Sequence, residues 1–367
     1  MPERVLARGF GDDDPVVLDD GGGRAEGGID AEEHSSRIIA SAAGHPKGLR
    51  PRIEHVTAPT ALEVNEAPLG LSRVVVPTAV GAVTSYAGRR AGGPAVVMLH
   101  GAAARWTTWT PLLAAADRST HPLTDVVLID LPGWGDSGVR APSLEHLSAA
   151  IVDVVRALGY DRWRLVGHSL GGFVALDIAA RHPEETLAVG LVSASGGGVL
   201  DVLRRPFHGG LRLPGFAGML LAMRVLHGLG RASDPLLRFL RNVGLLRAFA
   251  APLFRHPNEV DRSVSDALAD EIRPVAFLRA ARAARTYDDR RWRRIRCAVR
   301  SVAGERDVFS PPSDDAWFAR RIRDFSAVRL PDAGHYAGVE RADEVLTALA
   351  DVIAPTAAPA LRAAARS

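Results

Sequence analysis

From about residue 72 onward, short apolar runs ending in Gly, Asp or Ser alternate with longer segments whose apolar positions recur every three or four residues. Residues 95–99, 126–129, 164–166, 187–192, 298–302 and 327–330 supply the runs, and several lack the polar alternation of a half-exposed strand. Strands covered on both faces have that composition. Leu144, Leu147, Ile151, Val154 and Leu158 define a helix behind the start signal Pro142-Ser143, and residues 173–180 and 345–353 share its period. Strands and helices in alternation predict an α/β fold on a mostly parallel sheet with helices on both faces.

The rhythm stops between about residues 198 and 295, where Leu236, Leu240, Val243, Leu246 and Phe249 trace a helical stripe among arginines and no strand-like run competes. A block of that length between two strands predicts an inserted helical cap, or lid, over a rigid scaffold. The expected organisation is an acidic extension at 1–50, a core at 51–197 and 296–355, the cap at 198–295 and a tail at 356–367.

The chain has 367 residues, 47% of them apolar and 24% charged, which is enough to bury a large core and excludes disorder along the whole length. A lone cysteine, Cys297, excludes an internal disulfide, and no C-x-x-C or H-E-x-x-H pair occurs, so no metal is expected. No apolar stretch reaches roughly 18 residues, and the N-terminus lacks a basic-then-apolar run. The expectation is therefore no transmembrane segment and a cytoplasmic location. The formal charge of +3 hides an asymmetry: residues 1–33 carry ten acids against three arginines, whereas residues 199–296 carry nineteen arginines against nine acids. Ordinary solvation accounts for both; a sharper expectation is that the acidic extension rests on the cap at low salt.

Gly167-His168-Ser169-Leu170-Gly171 fits G-x-S-x-G between a strand run and a helical stretch. Such a turn strains the serine backbone and leaves room only for small residues two places to either side. A serine hydroxyl needs a base to take its proton, and the base needs an orienting acid. Gly304-Glu305-Arg306-Asp307 follows the run 298–302, and Pro331-Asp332-Ala333-Gly334-His335 follows the run 327–330, giving the order Ser, Asp, His. His335 is the only histidine beyond residue 256. Asp307 lies farther past the strand end than Glu305 and is read as the acid ahead of it. Acyl transfer also needs two backbone N–H groups aimed at the developing oxyanion. Leu170, after the nucleophile, supplies one; the other comes from the loop His100-Gly101-Ala102, with Ala102 the choice and Ala103 the alternative.

Together with Asp130-Leu131-Pro132-Gly133-Trp134-Gly135-Asp136-Ser137, these motifs stand in an order that resembles the α/β-hydrolase superfamily, in its serine-nucleophile branch with a helical cap, over about residues 72–355. The resemblance implies an eight-stranded sheet, a cap after the sixth strand and a hydrolase that needs no cofactor. Serine at the elbow argues against haloalkane dehalogenases and epoxide hydrolases, which the same resemblance would supply with aspartate there. The reaction expected is cleavage of a carboxylic ester through an acyl-enzyme. A carbon–carbon bond hydrolase or a lactonase would use the same triad, and a hydrolase-like protein that binds a small ligand without turnover is a third reading. Phe216, Met219, Leu220, Leu221 and Met223 in the cap predict a small-molecule substrate with an apolar acyl or alkyl group.

Two further patterns invite other readings. Gly133 to Gly138 fits G-x-G-x-x-G, but residues 139–142 separate it from the next helix, so no dinucleotide cofactor is expected. The arginine run from Arg290 to Arg296 would in isolation suggest nucleic acid, yet it leads into a core strand and reads as a solvated hinge of the cap.

Overall fold

The computed structural model describes residues 61–138 and 143–353. The expected extension at 1–50, its docking on the cap, the tail at 356–367 and Pro142 of the helix start signal lie outside the described residues. Eight strands make one sheet: β1 (Leu71–Thr78), β2 (Gly81–Gly88), β3 (Ala95–Leu99), β4 (Val126–Ile129), β5 (Trp163–His168), β6 (Thr186–Val192), β7 (Ala298–Gly304) and β8 (Phe325–Leu330). Their order is β1-β2-β4-β3-β5-β6-β7-β8. β2 is antiparallel to both β1 and β4, and every later pair is parallel.

The six predicted runs are β3 to β8, and β3 and β4 have the predicted ends. Both are buried along their whole length, which is why their sequences show no alternation. Alternate residues of β3 serve opposite faces. Val97 and Leu99 pack with Leu147, Ile151 and Val154 of α2 (Leu144–Ala157) and Phe173 and Leu176 of α3 (Leu170–Arg181), whereas Val96 and Met98 pack with Leu112 and Leu113 of α1 (Thr110–Arg118) and with Val345 and Val352.

Between β6 and β7 lie seven helices and no strand: α4 (Gly197–Arg204), α5 (Pro206–Arg212), α6 (Pro214–Gly228), α7 (Ser233–Asn242), α8 (Leu245–Ala250), α9 (Arg262–Asp270) and α10 (Pro274–Thr286). The stripe expected as one helix is divided. Gly244 takes φ +76° between α7 and α8, a conformation that ends a helix, and Val243 sits exposed at the break. The expected helix at 345–353 is likewise broken at Leu349, into α13 (Ala342–Ala348) and α14 (Ala350–Ile353) behind α11 (Ser313–Ala319) and α12 (Ala337–Glu340).

Both ends of the insertion are tied to the core by buried polar groups. At its return, the Tyr287 hydroxyl donates to Asp177 of α3 at 2.7 Å and accepts from the indole N–H of Trp292 at 3.1 Å. Trp292 is fully buried against Phe173 and Phe318, so the arginine run turns around a core tryptophan, with Arg291 reaching Glu145 at 3.3 Å. At its start, Asp314 of α11 accepts from the Gly198 N–H at 2.8 Å, capping an α4 whose own cap residue, Gly196, has no side chain. Burial pushes the Asp314 carboxyl up to about 7, against the weaker opposing pull of the Gly198 N–H and Arg329. The folded chain therefore holds a proton there that the unfolded chain releases near pH 4, and stability falls as pH rises from about 4 to about 7. Asp314→Asn should melt a few degrees above wild type at pH 8, with the gap closing towards pH 4. Thermal melts showing a gap independent of pH would refute this.

Candidate active site

Every candidate catalytic group lies at the carboxyl end of the sheet, where loops over a parallel scaffold converge. The turn from β5 into α3 holds Ser169 at φ +50° and ψ −114°, outside the regions a side chain ordinarily allows. Four backbone bonds fix it. The Ser169 N–H donates to the Val192 carbonyl at 3.1 Å, and its own carbonyl accepts from Gly172, Phe173 and Ser195 at 3.1 to 3.3 Å. A Cβ on Gly171 would collide with the Leu99 and His100 carbonyls, and one on Gly167 would collide with the Gly171 backbone. The glycines of the motif are thus required by close approach of β3 and of the helix itself.

Asp307 and His335 come together from the ends of β7 and β8. The His335 Nδ1–H donates to Asp307 Oδ1 at 2.9 Å, and the same oxygen accepts from the Phe309 and Ser310 N–H groups at 2.8 and 3.0 Å. Burial alone would raise the Asp307 carboxyl; His335 beside it and the backbone donors outweigh that and hold it below its ordinary value. It is therefore a buried carboxylate at neutral pH, and the imidazole presents Nε2 outward. Glu305 is exposed, whereas Asp307 is buried against His335, so geometry separates the two acids that spacing left in competition. The histidine loop is itself held: the His335 N–H donates to the Leu253 carbonyl of the cap at 2.7 Å, and the Gly334 N–H to Glu340 at 2.7 Å.

Two buried histidines that spacing did not assign complete the support. His168 places Nε2 3.0 Å from the His335 carbonyl, and burial drives its imidazole down to about 3, so it stays neutral and donates. His100 accepts from the Leu131 N–H through Nε2 at 2.9 Å, and its Nδ1 lies 2.7 Å from the Gly101 carbonyl; burial lowers it to about 4. That neutral ring fixes the loop carrying Ala102 and Ala103, which runs close enough to Ser169 that a Cβ at Gly101 would sit 3.1 Å from the serine Cβ. Ala103 has φ +57°, and both alanines face the cavity described next. Leu170 contributes the first N–H of α3, one the helix leaves without an acceptor.

The G-x-G-x-x-G pattern has a structural explanation. Gly135 takes φ +52° where a Cβ would strike the Asp130 carboxylate, which accepts from the Trp106 and Asp136 N–H groups at 2.8 and 3.0 Å. Its own N–H donates to the buried Glu271 of the cap at 2.8 Å. The glycines make a tight loop clamped to its neighbours, and α2 starts beyond it at Leu144, capped by Ser143, whose hydroxyl accepts from the His146 N–H. Among the described residues, no group of three or more His, Cys, Asp or Glu is placed to hold a metal ion.

Ser169, His335, Ala102, Ala103 and Leu170 all line one cavity of about 790 Å³. Its remaining wall comes largely from the cap, including Phe216, Met219, Leu221 and Met223, and among the described residues no Arg, Lys, Asp or Glu lines it. Leu220, expected in the same group, is buried but is not part of that wall.

Residues 96–348 match the Alpha/beta hydrolase family. Among curated proteins, the chain is similar to a pimeloyl-[acyl-carrier protein] methyl ester esterase of Aromatoleum aromaticum, 28% identical over 271 residues that span 71% of this chain and 98% of that one. It is also similar, over 32% of its length and 42% of the other's, to a 2-hydroxy-6-oxononadienedioate/2-hydroxy-6-oxononatrienedioate hydrolase of Burkholderia vietnamiensis, at 34% identity. Among solved structures, a hydrolase from Pseudomonas aeruginosa superposes with a TM-score of 0.58 at 20% identity, over 77% of this chain and 98% of that one. With the family match covering well over half its length, this chain belongs to the alpha/beta hydrolase family and is a hydrolase.

Proposed function

We propose that the protein hydrolyses carboxylic esters with an apolar acyl or alkyl group, through an acyl-enzyme on Ser169. The observation that carries this reading is the buried Asp307–His335 pair opening, together with the strained Ser169, into an uncharged apolar cavity. The Ser169 hydroxyl attacks the ester carbonyl as His335 Nε2 takes its proton, and Asp307 holds the imidazole in the tautomer that makes this possible. Charge gathers on the carbonyl oxygen, where the Leu170 and Ala102 N–H groups receive it. His335 then protonates the departing alkoxide. In the second half-reaction it activates a water, which releases the acid and restores the hydroxyl. No cofactor enters any step. The lone cysteine fits a cytoplasmic enzyme.

The cavity wall favours an ester over the carbon–carbon bond reading. A dioate brings free carboxylates, and an ionised carboxylate buried without a partner is heavily penalised. Among the described residues no Arg or Lys lines this cavity to receive one. An esterified acid carries no such charge.

Each methylene buried in the cavity contributes about 0.8 kcal/mol, so kcat/KM on p-nitrophenyl esters should rise about fourfold per carbon until the space is filled, then level or fall. Acetate as the best substrate, with decline at every added carbon, would contradict the proposed wall. Binding without turnover, read as thermal stabilisation by the ester series and no p-nitrophenol release, would overturn the enzymatic reading itself.

A further inference from the structure

The outer face of the cap has features that ester hydrolysis at Ser169 does not use. On α5, Phe207 and Leu211 stand one helical turn apart and are 93% and 87% exposed. α6, packed beside it, is apolar on both sides: Phe216, Leu220 and Met223 face inward, while Leu221 and Val225 are 60% and 55% exposed. Phe249 of α8 is 71% exposed. A helix that is apolar on opposite sides normally has both covered, and clustered exposed apolar side chains mark an interaction surface. Leu221, Val225 and Phe249 also line the cavity, so part of this exposed apolar surface borders it.

The segment that carries these side chains is strongly basic. Residues 205–247 hold seven arginines and one acid, Asp234. Arg212, Arg224, Arg231 and Arg238 make no ion pair among the described residues. Apolar tips set among unpaired arginines have the composition of a surface that inserts into the headgroup boundary of an anionic bilayer. A second copy packed face to face would bring two such positive surfaces together. Phe207 and Leu211 stand almost fully exposed on a short helix, which suits a deformable medium better than a fixed partner surface.

We propose that this face of the cap docks on an anionic lipid bilayer, with the cavity mouth turned towards it, so that the ester is drawn from the membrane. No helix among the described residues is long and apolar enough to cross a membrane, so the docking is peripheral. The source of the substrate rests on the ester-hydrolase reading; the docking does not.

Co-sedimentation of the full-length protein with vesicles tests it. At low ionic strength the protein should pellet with phosphatidylcholine vesicles containing about a quarter phosphatidylglycerol, and far less with phosphatidylcholine alone or at high salt. Phe207→Ser with Leu211→Ser should lower partitioning by more than about tenfold, and so should Arg212→Glu with Arg224→Glu. The Phe207/Leu211 pair lies outside the cavity, so that variant should keep kcat/KM on a short soluble ester within about twofold, which also shows that it folds. Failure to bind the anionic vesicles overturns the proposal. Undiminished binding by the Phe207/Leu211 variant also overturns it, because the exposed apolar side chains would then contribute nothing to the docking. Ser169→Ala should bind vesicles as wild type does, whereas wild-type protein that binds vesicles but hydrolyses no ester would sink the ester-hydrolase reading and leave the docking standing.

Discussion

Ser169→Ala is expected to lower kcat by on the order of 10³ to 10⁶ while leaving the melting temperature close to wild type. The size of the loss follows from the covalent step: without the hydroxyl, the base His335 has no proton to take and no acyl-enzyme forms. The fold should be indifferent because the four bonds that fix this turn are made by the Ser169 backbone, and alanine retains them. Alanine also keeps the non-glycine backbone strain at φ +50°, so the geometry around the missing oxygen is preserved. Steady-state kinetics and a thermal melt on the same preparation check both halves. Turnover within tenfold of wild type would mean that another group is the nucleophile.

The second large effect should come from the acid. Asp307→Asn preserves size but leaves an amide opposite His335 Nδ1, which favours the tautomer that places the proton on Nε2, where the serine proton must go. A loss on the order of 10⁴ in kcat is expected, by analogy with the equivalent change in a serine protease. The variant should also be less stable, because Oδ1 now serves three bonds, from His335, Phe309 and Ser310, as a carboxylate. Glu305→Gln, on an exposed side chain two residues away, should change kcat by less than about twofold. A dead Gln variant beside an active Asn variant would reverse the assignment.

What the chain disclosed before folding, and what it withheld, follows from the kinds of contact involved. β3 and β4 were legible to their ends because strands buried on both faces must be continuously apolar. The hairpin of β1 and β2 was not picked out as strands: β1 at the sheet edge alternates exposed and half-buried positions, and its apolar content is diluted to match. The elbow was legible because its glycines answer a local steric demand within the motif. The supporting roles of His100 and His168 were not, since each depends on a partner brought in by the fold: Leu131 is 31 residues away, and His335 is 167. Asp307 and Glu305 differed in sequence only by two positions, but the turn after β7 sends one inward and the other to solvent. In the cap, periodicity located apolar helices without revealing which faces would be covered. Apart from Arg224 and His227, α6 is apolar on every side, so no pattern within it separates the residues over the cavity from those left outside.

The most direct measurement is the mass of the intact protein after brief exposure to a fluorophosphonate, followed by peptide mapping of the adduct. The account predicts one phosphonyl group per chain, on Ser169, with labelling abolished in Ser169→Ala and greatly slowed in Asp307→Asn. Stoichiometric modification of any other serine, or no modification of a preparation that hydrolyses p-nitrophenyl esters, would contradict it.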